Sequence, residues 1–178
     1  SATLLNKGFE VIEAKWLYSC GLDKIHTIVQ PTSIIHSLVE FEDNSILAQM
    51  SYPTMEVPIQ LALTYPNRLN CDLPPLNLEE LSTSRFFPLN RKDFPCYDLA
   101  LTSAEAGDNY ACALNGAGEV AVKGFLEGRI PFLSIADVME ETLSKIQRQK
   151  ITSYEVLKET DDKARVIARE YIAQNYIK

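Results

Sequence analysis

Three polar side chains near the start of the chain, Asn6, Lys7 and Glu10, have the types and the spacing of a binding site. On a helix, residues three or four positions apart lie side by side, so these three side chains would share one patch. An amide, an ammonium and a carboxylate that converge can hold a phosphorylated or polyhydroxylated ligand and give one oxygen ligand to a metal. Gly8 would let another group approach the helix closely. The alternative is an exposed Lys7–Glu10 ion pair worth about 0.5 kcal/mol or less.

A second set of candidates lies farther along the chain. His36 falls in a β-type run with Ser33 and Ser37 nearby, where a histidine is either a structural residue or a group that orients a substrate hydroxyl. Residues 53–55 (Pro-Thr-Met) follow the third predicted strand, in a loop that could flank a ligand. The local chemistry does not require a function at either place.

Residues 116–121 match the pattern G-x-G-x-x-A of dinucleotide-binding turns. That pattern has meaning only between a parallel strand and a helix, and residues 110–114 are a short run that contains alanine rather than a strand. We therefore favour a different interpretation, in which the small residues mark a close contact between two helices. The cysteines form no C-x-x-C pair and match no zinc spacing, so we interpret them as buried or incidental thiols: Cys20, Cys71, Cys96 and Cys112.

The composition narrows the function classes. The chain has 178 residues, enough for one ordinary domain or two small ones, and its hydrophobic fraction of 46% is that of a globular protein. The net charge of −7 argues against nucleic acid as a partner, because a nucleic-acid binder needs a cationic surface. No run approaches the roughly 18 apolar residues of a membrane span, so we expect no membrane partner.

The periodicity of the apolar residues predicts the helices and strands that would position these candidate residues. Apolar spacing predicts a helix over residues 3–20, and β-branched runs predict strands at 25–29, 34–41 and 46–50, the last two joined by a turn at Asp43 and Asn44. A short helix at 59–65 precedes a stretch rich in proline and asparagine. Helices are then predicted at 97–106, 115–127 and 134–149, and beyond 152.

This order predicts an α+β fold with three parts. Residues 1–65 would form a partial α/β domain with a mainly antiparallel or mixed sheet, residues 66–94 a proline-rich linker, and residues 95–178 a four-helix type of bundle. The chain starts with Ser1 rather than Met, and apolar periodicity begins within its first ten residues, so we expect a piece of a longer protein.

Several segments together resemble one enzyme family, the 1-deoxy-D-xylulose 5-phosphate reductoisomerases. Residues 1–17 (SATLLNKGFEVIEAKWL) resemble the family's S-A-T-[ML]-[ML]-N-K-G-[LF]-E-x-I-E-A-x-x-L. Residues 31–39 and 43–49 resemble P-Q-S-[IV]-I-H-S-M-V and D-G-S-[VI]-L-A-Q, with Asn44 at a family glycine. Residues 114–121 resemble L-N-A-A-N-E-V-A of the family's helical domain.

The match covers nearly the whole chain but only about the C-terminal half of the family's length. It implies that residues 1–65 are part of the family's catalytic and dimerisation domain, that residues 66–94 are the linker and that residues 95–178 are the helical domain. The strands of residues 25–50 would form much of the family's dimer sheet.

The resemblance implies roles for individual residues. It implies that Glu10 is a catalytic carboxylate that binds Mg²⁺ or Mn²⁺, and that Lys7 takes part in catalysis. Ser1, Asn6, Lys7 and Glu10 would bind the substrate, a phosphorylated sugar. His36 would support the active site. Pro53 and Met55 would lie against the nicotinamide of NADPH or the substrate.

The implied activity is an NADPH-dependent oxidoreductase and isomerase of the non-mevalonate isoprenoid pathway, acting as a homodimer in the bacterial cytoplasm or in a plastid-type organelle. The NADPH-binding domain and the first part of the catalytic domain have no counterpart here, so we expect the isolated chain to be inactive. The alternative is a non-catalytic oligomerisation or regulatory module that keeps the dimer sheet and the bundle. A third class, a nucleotide-binding protein that uses residues 116–121, predicts saturable NAD(P) binding, which we do not expect.

Overall fold

The computed structural model describes residues 2–79, 81 and 84–176. Its helices are α1 (Leu5–Leu17), α2 (Glu56–Thr64), α3 (Pro95–Ala106), α4 (Tyr110–Leu126), α5 (Ser134–Lys145) and α6 (Tyr154–Asn175). Its strands are β1 (Ile28–Val29), β2 (Ile35–Glu40), β3 (Ile46–Met50) and β4 (Phe87–Pro88), which form two separate antiparallel pairs. The predicted α+β class is confirmed, and the small sheets are antiparallel rather than mixed.

The chain divides into two compact units. The first, the helical unit, joins Ser1–His26 to Asn90–Lys178, and the second, the strand unit, is Thr27–Leu89. These limits differ from the predicted division at residues 65 and 95, because α1 packs on α3 and so belongs with the C-terminal helices. The assignment of the segments to a catalytic domain, a linker and a helical domain stays a prediction.

Helix α4 lies at the centre of the helical unit, where it packs against α3, α5 and α6. The largest fully buried apolar side chains of the described residues come from these last helices: Leu114, Ile135, Val138, Met139 and Ile172. Deletion of such side chains usually costs several kcal/mol, about 2–5, because a cavity remains. The C-terminal helices therefore form a well-packed scaffold.

The glycines of residues 116–121 lie inside α4 and mark close helix contacts, as interpreted from the sequence. A Cβ on Gly116 would lie 2.7 Å from Oδ1 of Asp161 in α6. A Cβ on Gly118 would lie 3.0 Å from Cδ2 of Leu5 in α1. The helix begins at Tyr110 rather than at the predicted residue 115, so no strand precedes these glycines.

Two helix ends show how local sequence sets the boundaries. Gly107 follows α3 with φ 71° and ψ −154°, a backbone conformation that glycine adopts and that side chains disfavour. After α1, a positive φ is found at Ser19 (φ 51°), and the N–H of Cys20 donates to the carbonyl of Lys15 at 3.2 Å. The helix consequently ends at Leu17, three residues before the predicted limit.

The strand unit is built around the β2–β3 hairpin. Its register runs from Ile35 opposite Met50 to Glu40 opposite Ile46. The turn is the predicted one: Asn44 adopts φ 65°, and its N–H donates to the carbonyl of Phe41 at 2.9 Å. No residue of either strand is buried.

The stretch predicted to be an irregular linker contains a short strand, β4. Here β4 pairs with β1 through Val29 opposite Phe87 and Ile28 opposite Pro88. Helix α2 begins at Glu56, before the predicted residue 59, because Pro58 is tolerated inside the first turn as well as at its first position. In the part of the chain that the structure describes, no helix is long and apolar enough to cross a bilayer.

Candidate functional site

The predicted polar cluster of Asn6, Lys7 and Glu10 forms on the exposed side of α1. Nδ2 of Asn6 donates a hydrogen bond to Oε1 of Glu10 at 3.1 Å. The ammonium of Lys7 contacts the other carboxylate oxygen of Glu10, and the Lys7 and Glu10 side chains are 42% and 44% exposed. We call these three residues the α1 cluster.

The opposite side of α1 explains why the cluster faces outward. Leu5, Gly8 and Val11 are the buried residues of the helix and recur every third residue, which is one face of a helix. Burial of that face leaves Asn6 and Glu10, which are offset from it around the helix axis, exposed to solvent. The local sequence therefore places an apolar stripe on the bundle and a polar stripe outside it.

The cluster combines two donors with one carboxylate. The Lys7 ammonium and the Asn6 amide can donate hydrogen bonds to phosphate or hydroxyl oxygens. In the structure both donors are occupied by Glu10, so an anionic ligand would have to compete with an exposed ion pair worth about 0.5 kcal/mol or less. The arrangement is thus open to ligand binding at a small energetic cost.

The fit of the cluster to a divalent metal is partial. Mg²⁺ and Mn²⁺ prefer several oxygen ligands, and Glu10 offers one carboxylate. Among residues 2–79, 81 and 84–176, no group of three or more histidine, cysteine, aspartate or glutamate side chains could hold a metal ion. The α1 cluster therefore offers a metal the Glu10 carboxylate, and the described residues contain no cluster of three such ligands that would complete a coordination shell.

His36 lies in the strand unit, at an irregularity of β2. The register shifts between Ile35 and Ser37, so His36 is the extra residue of a β-bulge. Its Nε2 lies 3.1 Å from the carbonyl oxygen of Ser51. The histidine thus has a main-chain partner, and neither of the two serines named from the sequence is that partner.

Pro53 and Met55 lie in the loop between β3 and α2, as predicted. Met55 precedes the first residue of α2 and is 68% exposed. It lines an open groove of about 690 Å³ together with Ile59 and Leu63, which follow at helical spacing along α2. Pro53 does not line this groove.

The far wall of the groove was missed from the sequence. It consists of Asn70, Cys71 and Asp72, and Nε2 of Gln60 donates to the Asn70 carbonyl at 2.8 Å. The apolar spacing of Met55, Ile59 and Leu63 indicates a helix face, but nothing local indicates what lies opposite that face.

The structure brings together some of the predicted residues. The α1 cluster forms within the helical unit, whereas His36, Pro53 and Met55 belong to the strand unit. Ser1, the predicted phosphate contact, lies outside the described residues. The roles of all these residues stay predictions.

The sequence is similar to curated reductoisomerases over most of its length. The 1-deoxy-D-xylulose 5-phosphate reductoisomerase of Solibacter usitatus is 42% identical over 169 residues, which cover 95% of this chain and 43% of the relative. That of Pelotomaculum thermopropionicum is 45% identical over 165 residues, covering 93% of this chain and 43% of the relative. The chain therefore spans less than half the length of these relatives.

The fold is similar to solved structures of the same enzyme. One is the reductoisomerase from Zymomonas mobilis in complex with NADPH, with a TM-score of 0.91, 37% identity, and coverage of 97% of this chain and 46% of that one. Another is a reductoisomerase in complex with NADPH, fosmidomycin and magnesium, with a TM-score of 0.87, 35% identity, and coverage of 96% and 44%.

A family model agrees with these similarities. The model, described as the C-terminal domain of DXP reductoisomerase, matches residues 50–167 and so covers more than half of the chain. The segment carries the helices α2 to α5 and most of α6. On these grounds, the chain belongs to the 1-deoxy-D-xylulose 5-phosphate reductoisomerase family.

Proposed function

We propose that this chain supplies the C-terminal portion of a reductoisomerase that converts 1-deoxy-D-xylulose 5-phosphate to 2-C-methyl-D-erythritol 4-phosphate. The observation that carries the proposal is the α1 cluster, in which Asn6 and Lys7 converge on Glu10 on an exposed helix face. Relatives that bear the enzyme's name, and a neighbouring structure with NADPH and magnesium, support it. The compartment we propose is the bacterial cytoplasm or a plastid-type organelle.

Each residue of the cluster has a role that its chemistry allows. Lys7 and Asn6 donate hydrogen bonds to substrate hydroxyls or to its phosphate, and so orient the substrate. Glu10 is one oxygen ligand of a Mg²⁺ or Mn²⁺ ion, and a bound metal of this kind polarises substrate oxygens. The remaining metal ligands come from outside the described residues of this chain. Ser1 is a further phosphate contact.

The strand unit contributes to cofactor binding and to assembly. Met55 and Pro53 contact the nicotinamide of NADPH, which supplies the hydride when bound, and most of the NADPH contacts lie outside this chain. His36 supports the active site from its bulge. The exposed apolar side chains of the β2–β3 hairpin form part of a homodimer interface: Leu38, Val39, Phe41, Ile46, Leu47 and Met50.

The experiment compares this chain alone with a fusion enzyme, in which the preceding segment of the Solibacter usitatus relative is joined ahead of Ser1 at the aligned position. Oxidation of NADPH is followed with 1-deoxy-D-xylulose 5-phosphate and Mn²⁺. We expect turnover by the fusion enzyme and none by the isolated chain, since one carboxylate cannot hold the metal. A fusion enzyme that folds without turnover would contradict the proposal, and turnover by the isolated chain would contradict its inactivity.

A second candidate function is a non-catalytic oligomerisation or regulatory module. It is favoured by the β2–β3 hairpin, which has no buried residue and exposes Val39 and Leu47 by 51% and 65%. Such a module would keep all of its function after Glu10→Gln, whereas the enzyme would lose turnover. Sedimentation of the chain as a dimer is expected under both functions, and so the Glu10→Gln variant separates them.

A further inference from the structure

The α1 cluster lies on one face of α1, and the opposite face of the helix packs against α3. Gly8, which follows Lys7 in the sequence, is buried, and a Cβ built on it would overlap the Cβ of Ala100 in α3. The next nearest atoms, Cα and Cδ2 of Tyr97, are both 3.7 Å away, an ordinary packing distance. A single methyl group of α3 therefore decides whether residue 8 can bear a side chain.

The contact lies directly behind the cluster. Gly8 follows Lys7 in the sequence and lies between Asn6 and Glu10 along the helix. Ala100 is fully buried in the helical core, so it cannot move aside as a surface side chain could. A methyl group at residue 8 must consequently push α1 away from α3, and a rigid helix carries its exposed face with it.

Two further contacts act at the ends of the same helix. Leu5 packs against Gly118 of α4, with 3.0 Å between its Cδ2 and the position of a Cβ on that glycine. Nζ of Lys15 donates to the Ala104 carbonyl of α3 at 3.0 Å. With its ends held in this way, α1 would tilt or shift about the Gly8 contact.

We propose that Gly8 and Ala100 form a positioning contact, through which α3 sets where the α1 cluster lies in the reductoisomerase site. The inference rests on the proposed function and extends it to residues that do not touch the substrate. Gly8 is thus a positioning residue, because it acts through Glu10, Lys7 and Asn6.

The test uses the variant Gly8→Ala and the exchanged pair Gly8→Ala/Ala100→Gly. Alanine favours a helix more than glycine does, so any loosening of α1 has to come from the overlap with Ala100. The exchanged pair keeps the methyl group at residue 8 and removes its obstacle. Glu13→Ala, at an exposed position of α1, is the control for a change to alanine on the same helix.

One measurement reports how tightly α1 packs on α3, and a second reports whether the α1 cluster is correctly placed to bind the metal. Hydrogen exchange of the α1 amides in the 178-residue chain should become at least about tenfold faster in Gly8→Ala and return to within about threefold in the exchanged pair. In the fusion enzyme, the dissociation constant of Mn²⁺, measured by electron paramagnetic resonance, should rise at least about tenfold in Gly8→Ala. Its kcat should fall while the KM for NADPH stays within about twofold, and the exchanged pair should restore both Mn²⁺ affinity and kcat.

Other results would overturn the inference. If Gly8→Ala binds Mn²⁺ as tightly as the unaltered fusion enzyme, the contact is structural only. If the exchanged pair unfolds, or fails to restore Mn²⁺ affinity, the overlap with Ala100 is not the cause. A fusion enzyme that neither turns over nor binds Mn²⁺ before any substitution overturns the proposed function itself, and the positioning role with it.

Discussion

Lys15 donates a hydrogen bond from Nζ to the carbonyl oxygen of Ala104 at 3.0 Å, across 89 residues of sequence. The acceptor is in the last turn of α3, where main-chain carbonyls lack helical partners. A lysine at this place also complements the negative end of the helix dipole. The hydrogen bond therefore caps α3 and fastens the C-terminal end of α1 at the same time.

Lys15→Met should loosen this end of α1 without disturbing its shape. Methionine keeps the length of the side chain and loses the donor, so the Ala104 carbonyl is left to water. We expect the free energy of unfolding to fall by about 1 kcal/mol, with faster hydrogen exchange over the last turn of α1. Lys24→Met, at an exposed position in the same unit, is the control. Equal exchange in both variants would contradict the prediction.

Glu10→Gln should separate the activity of the chain from its stability. The Lys7–Glu10 pair is exposed, so its loss should change the free energy of unfolding by no more than about 0.5 kcal/mol. In the fusion enzyme, we expect kcat to fall at least about 100-fold, the scale reached when even the outer-shell partners of metal ligands are removed. Thermal unfolding and NADPH oxidation measure the two effects. Glu13→Gln is the control, and equal turnover in both variants would contradict the metal-ligand role.

Asn109→Ala should be among the most destabilising changes to a polar residue. The Asn109 side chain is 2% exposed and connects three segments. Its Nδ2 donates to the Gln147 carbonyl and to Oγ1 of Thr160, both at 3.2 Å, and its Oδ1 accepts from the N–H of Gln149 at 3.0 Å. Alanine would leave the buried Thr160 hydroxyl without this donor and remove two part-buried hydrogen bonds to the main chain at Gln147 and Gln149, so we expect the free energy of unfolding in urea to fall by about 2 kcal/mol.

Asn115→Ala is the matched control for that change. Asn115 is an exposed asparagine on α4 that donates a hydrogen bond to Glu119 on the same helix, and alanine should be tolerated there. A similar loss of stability in both variants would show that the hydrogen bonds of Asn109 contribute no more to folding than those of an exposed asparagine.

Features that depend on neighbouring residues could be predicted from the sequence. The α1 cluster needs only helical spacing, and the β2–β3 turn needs only Asp43 and Asn44 between two alternating runs. Gly107 ends α3 as expected, because a positive φ is nearly free of cost for glycine.

Features that depend on distant residues could not be predicted. The two-residue strand β4 pairs with β1 far back in the sequence and is too short to show alternation. The packing of Gly8 on Ala100 joins two helices that the strand unit separates along the chain. The start of α4 was predicted five residues late, because small apolar residues in a short run fit a buried helix and a strand equally well.

Cys96 should resist alkylation in the folded chain. Burial raises the pKa of its thiol to about 11, and the charge of Asp137 adds to the effect. At pH 8 only about one thiol in a thousand would be thiolate, the reactive form. Iodoacetamide should therefore modify Cys96 only in urea, whereas Cys20 and Cys71, which are partly exposed, should react without it. Peptide mass spectrometry measures the alkylation of each cysteine. Rapid modification of Cys96 in the folded chain would contradict the prediction that its thiol is buried and protonated.

The raised pKa of the Cys96 thiol also makes the stability of the folded chain depend on pH. A thiol whose pKa is raised in the folded state favours folding while it stays protonated. The stabilisation is complete below about pH 9, the ordinary value, and is lost as the pH rises towards about 11. The free energy of unfolding in urea should fall more between pH 8 and pH 10 for the unaltered chain than for Cys96→Ala.

Replacement of Asn44 should test the turn of the β2–β3 hairpin. Its φ of 65° lies in the left-handed region, which asparagine tolerates, glycine adopts freely and β-branched residues avoid. Asn44→Val should destabilise the hairpin by about 1–2 kcal/mol, whereas Asn44→Gly should change it by less than about 0.5 kcal/mol. Hydrogen exchange at Phe41, whose N–H donates to the Ser45 carbonyl at 2.9 Å, measures both. Equal protection in the two variants would mean that the left-handed conformation at residue 44 does not hold the turn.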